Sequence, residues 1–257
     1  MEKLTLVKVG GKIVEESDSL ETLLQDFKQI AGYKLLVHGG GRLATELSER
    51  LGIETRMVDG RRITDAETVK VVTMVYAGLV NKTIVARLQA LNVNAMGLCG
   101  ADINLIRSRR RPVKDIDYGF VGDVEEVQPD VLSELIGQNI VPVVAPITHD
   151  GHGLLLNTNA DTIANEVAKA LATRFEVRLV YCFEKKGVLS RRDDEDSVIS
   201  RITPDDYEQY KSEGIIQGGM IPKLDNAFNA LHCGVREVVI TKASELLRQS
   251  GTRISLN

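Results

Sequence analysis

The chain has 257 residues, of which 43% are hydrophobic and 26% charged, and carries a formal net charge of −4. That length buries a sizeable core as one large domain or two smaller ones, and the composition excludes a disordered chain. The slightly acidic balance excludes a global field that would draw the chain to nucleic acid or an anionic membrane, so an anionic ligand must meet local positive groups.

In chain order, short β-branched runs alternate with amphipathic stretches. Residues 4–9, 34–37, 94–98, 140–145, 178–182 and 237–240 are expected as strands. Residues 19–31, 43–51, 65–91, 129–139, 160–175 and 221–232 are expected as helices. Within 160–175, Ile163, Ala164, Val167, Ala168 and Leu171 recur on one helical face. This alternation predicts an α/β fold, a three-layer αβα sandwich around an open, mostly parallel central sheet. Segment 105–127 is charged and suits a hairpin or surface excursion, and 190–202 reads as a solvated charge run. A soft boundary near 174–177 would divide the chain into an N-terminal lobe, 1–174, and a C-terminal lobe, 175–257.

Five stretches carry candidate chemistry. In "LTLVKVGGKIV" a strand ends in Lys8 before Gly10 and Gly11. Ligands of open parallel sheets bind beyond the carboxyl ends of strands, and glycines let the backbone approach an anion. The bland alternative is a snorkelling lysine beside an ordinary turn. In "LVHGGGRLATEL" the strand ends in His38 and three glycines. The third glycine of a G-x-G-x-x-G dinucleotide turn is missing, no serine lies in a G-x-S-x-G elbow, and no Gly-Lys-Ser/Thr loop is present. A generic anion cradle at a helix N-terminus, or a structural turn, survives that elimination.

"DGRRITDAET" places Arg61 and Arg62 after an Asp59–Gly60 turn, where a guanidinium could grip a carboxylate or simply sit at the surface. "LLLNTNADTIANEVAKAL" supplies Asn157, Asn159 and Asp161 at a helix start. One of them suffices as N-cap, leaving two for a ligand or a lysine. "IIQGGMIPKLDNA" again pairs a glycine corner with a lysine, Lys223. His149 and His152 read as a polar turn, and Cys99, Cys182 and Cys233 as free thiols; no metal site is indicated. No secretory signal opens the chain, and no run of consecutive apolar residues approaches the ~18 that span a bilayer. A cytoplasmic protein without membrane partners is expected.

Taken together, "KVGGKIV", "VHGGGRLATELSERLGIETRMVDGRRIT", "AGLVNKTIVARL", "GFVGDV", "LLNTNADTIANEVAKAL", "GGMIPKLDNA" and "GTRISL" stand in the order of a known family. The sequence resembles the amino acid kinase family over essentially its full length, and within it the N-acetylglutamate kinases of arginine biosynthesis. The resemblance implies phosphorylation of the γ-carboxylate of N-acetyl-L-glutamate by ATP, with Mg²⁺ held mainly by phosphates and water. N-succinyl-L-glutamate is an alternative acceptor, and carbamate, aspartate and uridylate kinases are alternative relatives.

By that resemblance Lys8 contacts the phosphoryl group in flight, Lys223 serves the nucleotide phosphates, and Asp161 orients both lysines. The amides of Gly11 and Gly40 belong to the phosphoryl cradle. Gly40, Gly41, Arg62, Asn157 and Asn159 hold the acyl-amino acid in the N-terminal lobe. The nucleotide lies over the C-terminal lobe, at Gly10, at Glu184, Lys185, Lys186, Gly187, Val188 and Leu189, and at Ile215, Ile216, Gln217 and Gly218. A homodimer is implied. The chain departs from the family at Glu184, where an aspartate is common, and at Arg61, where an apolar residue is common. Arg61 and the arginines of 107–111 are therefore candidates to meet an additional acyl carboxylate. The feedback-linked N-terminal helix of some members has no counterpart before Lys8, so weak or no inhibition by arginine is expected.

Overall fold

The computed structural model describes residues 1–58, 60–191, 193–248 and 250–257; Asp59, expected in a turn, and Arg192, expected in the charged loop, lie outside them. The chain begins with β1 (Lys3–Val9), the short helix α1 (Gly11–Glu15), α2 (Ser17–Gln29) and β2 (Tyr33–His38). Helix α3 (Gly41–Arg50) leads to a pair of two-residue strands, β3 (Met57–Val58) and β4 (Arg61–Arg62). Next come α4 (Ala66–Thr73), a π-helical segment (Met74–Val80), α5 (Asn81–Ala90) and β5 (Ala95–Leu98). Strands β6 (Ile106–Arg110) and β7 (Gly122–Val127) precede α6 (Pro129–Gly137) and β8 (Val141–Val144). Strands β9 (Ile147–His149) and β10 (Leu155–Asn157) then lead into α7 (Ala160–Leu171). The last third holds β11 (Glu176–Phe183), β12 (Arg201–Ile202), α8 (Pro204–Ser212), α9 (Met220–His232), β13 (Glu237–Lys242) and β14 (Thr252–Ile254).

The main sheet has the order β12-β14-β13-β11-β1-β2-β8-β5. All its pairings are parallel except β13 with β14, which are antiparallel. One face is covered by side chains of α6, α7, α8 and α9, the other by those of α1 to α5. The three-layer sandwich follows from strands that are apolar on both sides. In β1, Leu4 and Leu6 join one core and Val7 and Val9 the other, as the two-residue strand period dictates. The sheet is continuous across residue 174, because β11 pairs directly with β1.

The excursion at 105–127 contains the expected hairpin, β6 with β7, but it is part of a larger four-stranded sheet, β10-β9-β6-β7. Isolated bridges from Thr64 to Gly119 and from Val121 to Asn157 bind it to the site region. Gly119 has φ +71°, and a Cβ there would collide with the Thr64 carbonyl. The helix expected at 160–175 stops at Leu171, because the chain must turn before β11 begins at Glu176. The helix expected at 65–91 runs continuously over Ala66–Ala90 and includes the π-helical segment. By length and composition it could cross a membrane, which a count of consecutive apolar residues does not register. Its Val71, Val72, Ile84 and Leu88 pack into the core.

His38, at the carboxyl end of β2, is fully buried and ties three elements together. Its Nδ1–H donates to the Gly39 carbonyl at 2.8 Å, and its Nε2 accepts from Asn81 Nδ2 at 3.1 Å. The same Asn81 amide donates to the Val143 carbonyl of β8 at 2.9 Å. Burial holds the imidazole neutral and lowers its pKa to about 4; the bond to Gly39 opposes this and nearby Lys82 adds to it.

Between its unfolded value near 6.5 and about 4, His38 binds a proton only in the unfolded chain, so stability falls on acidification. Full titration in that window is worth up to about 1.4 kcal/mol per pH unit. Denaturant titrations near neutrality and about two pH units lower are expected to show a steeper loss for the wild type than for His38→Asn. Equal losses would exclude His38 as the source.

Candidate active site

The alternation that sends Leu4 and Leu6 toward α7 sends Lys8 to the same face. Its ammonium lies 2.6 Å from a carboxylate oxygen of Asp161, with both side chains largely buried. Asp161 is in the first turn of α7, where the helix dipole favours a negative charge. The three polar residues before and within that turn have three separate tasks. Asn159 is the N-cap, accepting from the amides of Asp161 at 2.8 Å and Thr162 at 3.2 Å. Asn157 is buried and donates to the Thr64 hydroxyl at 3.0 Å. Asp161 is left for the lysine.

The glycine corners meet. A Cβ on Gly11 would lie 3.4 Å from the backbone nitrogens of both Gly40 and Gly41, so the missing side chain leaves room beside these amides. Gly40 is also required by packing, since its Cβ would come within 3.0 Å of the Tyr76 ring. The N-terminus of α3 is only partly open to an anion, contrary to the simplest sequence expectation. The amides of Arg42 and Leu43 both donate to Glu15 Oε1 at 3.1 Å. Arg42 Nε closes the arrangement 2.7 Å from the other oxygen. Burial raises the pKa of Glu15, while those amides and the guanidinium pull it back. An internal carboxylate thus takes the second and third amides of α3, and those of Gly40 and Gly41 ahead of them remain for a ligand.

These loops form one wall of a cavity of about 190 Å³, whose other walls include Arg61, Arg62, Tyr76, Asn157 and Asn159. Arg62 is buried and donates to the Gly41 carbonyl and Thr45 hydroxyl at 2.8 Å each, and to the Thr55 hydroxyl at 3.2 Å. Three of its five N–H donors are so engaged, leaving the guanidinium fixed but still able to donate. Arg61 is only half-buried; burial and neighbouring Arg111 lower its pKa, against Asp123 and Tyr118. The arginines of 107–111 do not join this wall. Arg107 pairs with Glu126 at 2.9 Å and Arg110 with Asp117 at 3.5 Å, while Arg111 binds Asp123.

A second cavity, of about 650 Å³, lies over the last third of the chain. It is lined by Glu184, Lys185, Gly187, Val188 and Leu189, by Ile215, Gln217 and Gly218, and by Lys223. The other three nucleotide candidates lie differently. Ile216 is buried in the core, and Lys186 turns to Asp196 at 2.7 Å. Gly10 caps α1 and donates its amide to the Cys182 carbonyl at 3.3 Å. Lys223 is half-buried at the start of α9, and burial lowers its pKa; Asp161 opposes the shift, Lys8 adds to it and Glu184 opposes it. Its ammonium stands 3.8 Å from the centre of the Phe183 ring, and that of Lys8 stands 5.7 Å from the same ring.

Tyr76, Glu15 and Phe183 were not expected in the site. Only Tyr76 had a detectable signal, an aromatic residue on a helix just before Gly78 of "AGLVNK", and the π-helical segment carries it off the regular helical period. Among the described residues no group of three or more His, Cys, Asp or Glu gathers to hold a metal, and the three cysteines are free.

Comparison with known proteins agrees with this architecture. The model of the amino acid kinase family matches residues 3–242. The acetylglutamate kinase of Phocaeicola vulgatus is 67% identical over 253 residues, covering 98% of each chain. A Streptococcus mutans protein of solved structure, smu.665, has a TM-score of 0.82 at 27% identity and 99% coverage of both chains. Carbamate kinase from Giardia lamblia bound to AMP-PNP has a TM-score of 0.74 at 15% identity, again with 99% coverage of both, and shares the fold. The chain belongs to the amino acid kinase family.

Proposed function

We propose that this chain transfers the γ-phosphoryl group of ATP to the γ-carboxylate of N-acetyl-L-glutamate, a step of arginine biosynthesis. Relatives named acetylglutamate kinase match it at 64–67% identity over 98% of its length or more. The observation that carries the residue roles is one electrostatic cluster joining two cavities. Asp161 follows directly on Ala160 of the smaller cavity's wall and pairs with Lys8, and Lys223 of the larger wall senses both charges.

The chemistry asks for neutralisation rather than proton transfer. A side-chain carboxylate with a pKa of about 4.3 is already ionised near neutrality, so no general base is needed. The barrier is one anion approaching another, and it is lowered by positioning and by fixed positive groups. The amides of Gly11, Gly40 and Gly41 receive the transferring phosphoryl group, Lys8 accompanies it, and Lys223 draws charge from the nucleotide phosphates. Asp161 keeps the lysines aimed. Arg62, Asn157 and Asn159 hold the acylated amino acid in the smaller cavity. ATP occupies the larger one, so residues 1–174 and 175–257 act as acceptor and donor lobes. Mg²⁺ would be held mainly by the nucleotide phosphates and water and would supply screening of their charge, since Asp161 is engaged by Lys8. The enzyme works in the cytoplasm without nucleic-acid or membrane partners, in keeping with its net charge of −4. It pairs as a homodimer through the exposed apolar side chains of Met74, Leu79 and Met96, beside the edge strand β5.

In a coupled assay of ADP release, Lys8→Ala is expected to lower kcat on the order of 10²–10³-fold. Equal rates would remove Lys8 from the mechanism. Gly11→Ala puts a methyl group against the loop amides and is expected to cost on the order of 10² in kcat/KM with the fold intact by circular dichroism. Unaltered kinetics would place the phosphoryl group elsewhere.

A second reading concerns the acyl group. Arg61 faces the smaller cavity without a hydrogen bond or ion pair of its own among the described residues, and its guanidinium could pair with a second carboxylate. On this reading kcat/KM for N-succinylglutamate exceeds that for N-acetylglutamate, and Arg61→Leu reverses the order. A strong acetyl preference in the wild type would end it.

A further inference from the structure

Both lysines of the cluster share one aromatic neighbour that no role above requires. Phe183 closes β11, and the strand period puts it on the face of Leu179 and Tyr181. Lys8 is in register with Tyr181 on the adjacent strand and points to the same side, so Phe183 lies diagonally next to it. From the opposite direction, the first turn of α9 delivers Lys223 onto the ring. Tyr181, two residues back on the same strand, lies beside the ring, with centroids 6.3 Å apart and planes within 11°.

We propose that Phe183 is a positioning residue whose ring face is the shared resting platform of the Lys8 and Lys223 ammonium groups before phosphate arrives. The proposal rests on the roles given to those lysines under Proposed function. Two ammonium groups converging on one anion site repel each other while it is empty. Asp161 relieves Lys8 directly, at 2.6 Å. Lys223 has no ion pair or hydrogen bond among the described residues, although it is partly withdrawn from water and faces Lys8, Asp161 and Glu184. Lys185 lines the same cavity. The negative face of an aromatic ring attracts a cation within about 6 Å, and both lysines meet that limit. A ring has a further advantage over a second carboxylate. It carries no net charge to repel the nucleotide, and it holds an ammonium weakly enough to release it to a phosphate.

The test compares Phe183→Leu, Phe183→Tyr and a chain with pentafluorophenylalanine at position 183, alongside Lys8→Ala and Lys223→Ala. Fluorination keeps the ring's shape and reverses the sign of its face, so it answers even where the leucine variant folds poorly. The fluorinated and leucine chains are expected to lose roughly tenfold in kcat/KM for ATP. The alkaline limb of the pH profile of kcat/KM for ATP, which reports the free enzyme, is expected to move to lower pH, because Lys223 deprived of its platform loses its proton sooner. KM for the acylglutamate should stay constant, and Phe183→Tyr should behave as wild type. A fluorinated enzyme with wild-type kcat/KM for ATP and an unmoved limb overturns the platform while the alanine variants remain inactive. Active alanine variants overturn the lysine roles themselves, and the platform with them.

Discussion

Everything in this site is arranged around an ammonium that must be held out of water before its anion arrives. A buried cation without a partner costs several kcal/mol, and breaking a buried pair by removing one member is strongly destabilising. Lys8 meets that constraint by strand parity on one side and helix geometry on the other. The two-residue period of β1 fixes the face, and α7 begins where Asp161 can reach that face. Asn159 fixes the helix start by taking the first amides, so the carboxylate of Asp161 is not consumed in capping. Asn157, two residues before it, ties the same turn to Thr64 and so to the strand bearing Arg62. The smaller cavity is thereby coupled to the charge pair through a few short bonds.

A parallel constraint governs the glycine loop. A helix N-terminus attracts anions, and an exposed one beside two substrate carboxylates and a triphosphate would compete with the productive position. Glu15 removes that competition by filling the end of α3 from within. Only the amides at the entry to the helix, those of Gly40 and Gly41, remain, and Gly11 leaves them uncovered. Arg42 compensates the buried carboxylate from its exposed side. Anion binding is confined to the loop by an internal anion, at the expense of desolvating Glu15.

What the sequence discloses follows the range of its signals. Strand parity, glycine corners and an N-capping cluster act within a few residues, so Lys8, Gly11, Gly40, Asn159 and Asp161 can be found by reading along the chain. Helix α8 was equally legible. Thr203, Pro204 and Asp206 form a proline-led capping box, and the low amphipathicity of the segment hid it from a search based on periodicity. Glu15 and Phe183 act across space on partners 27 or more positions away, and neither stands in a pattern that marks it. The arginines of 107–111 lie outside the smaller cavity's wall, and two of them, Arg107 and Arg111, show a related effect. Their charge is visible in sequence, whereas the acidic residues of the facing strand that absorb it become neighbours only when the hairpin closes.

The same logic accounts for the absence of histidine from the chemistry. His38 lies one residue from the glycine loop, where a titrating imidazole would be well placed as a base. Both its nitrogens are spent on holding Gly39 and Asn81, and burial keeps it neutral. A base there would have no proton to remove, since the acceptor is already an anion. A charged imidazolium would put a cation behind the loop, directed by its bonds at a carbonyl and an amide rather than at the phosphoryl group. The fold therefore uses the residue for its geometry, linking β2, α5 and β8 so that the glycine amides stay in place. The positive charge at this end of the sheet is left to the two lysines beside Asp161 and Phe183.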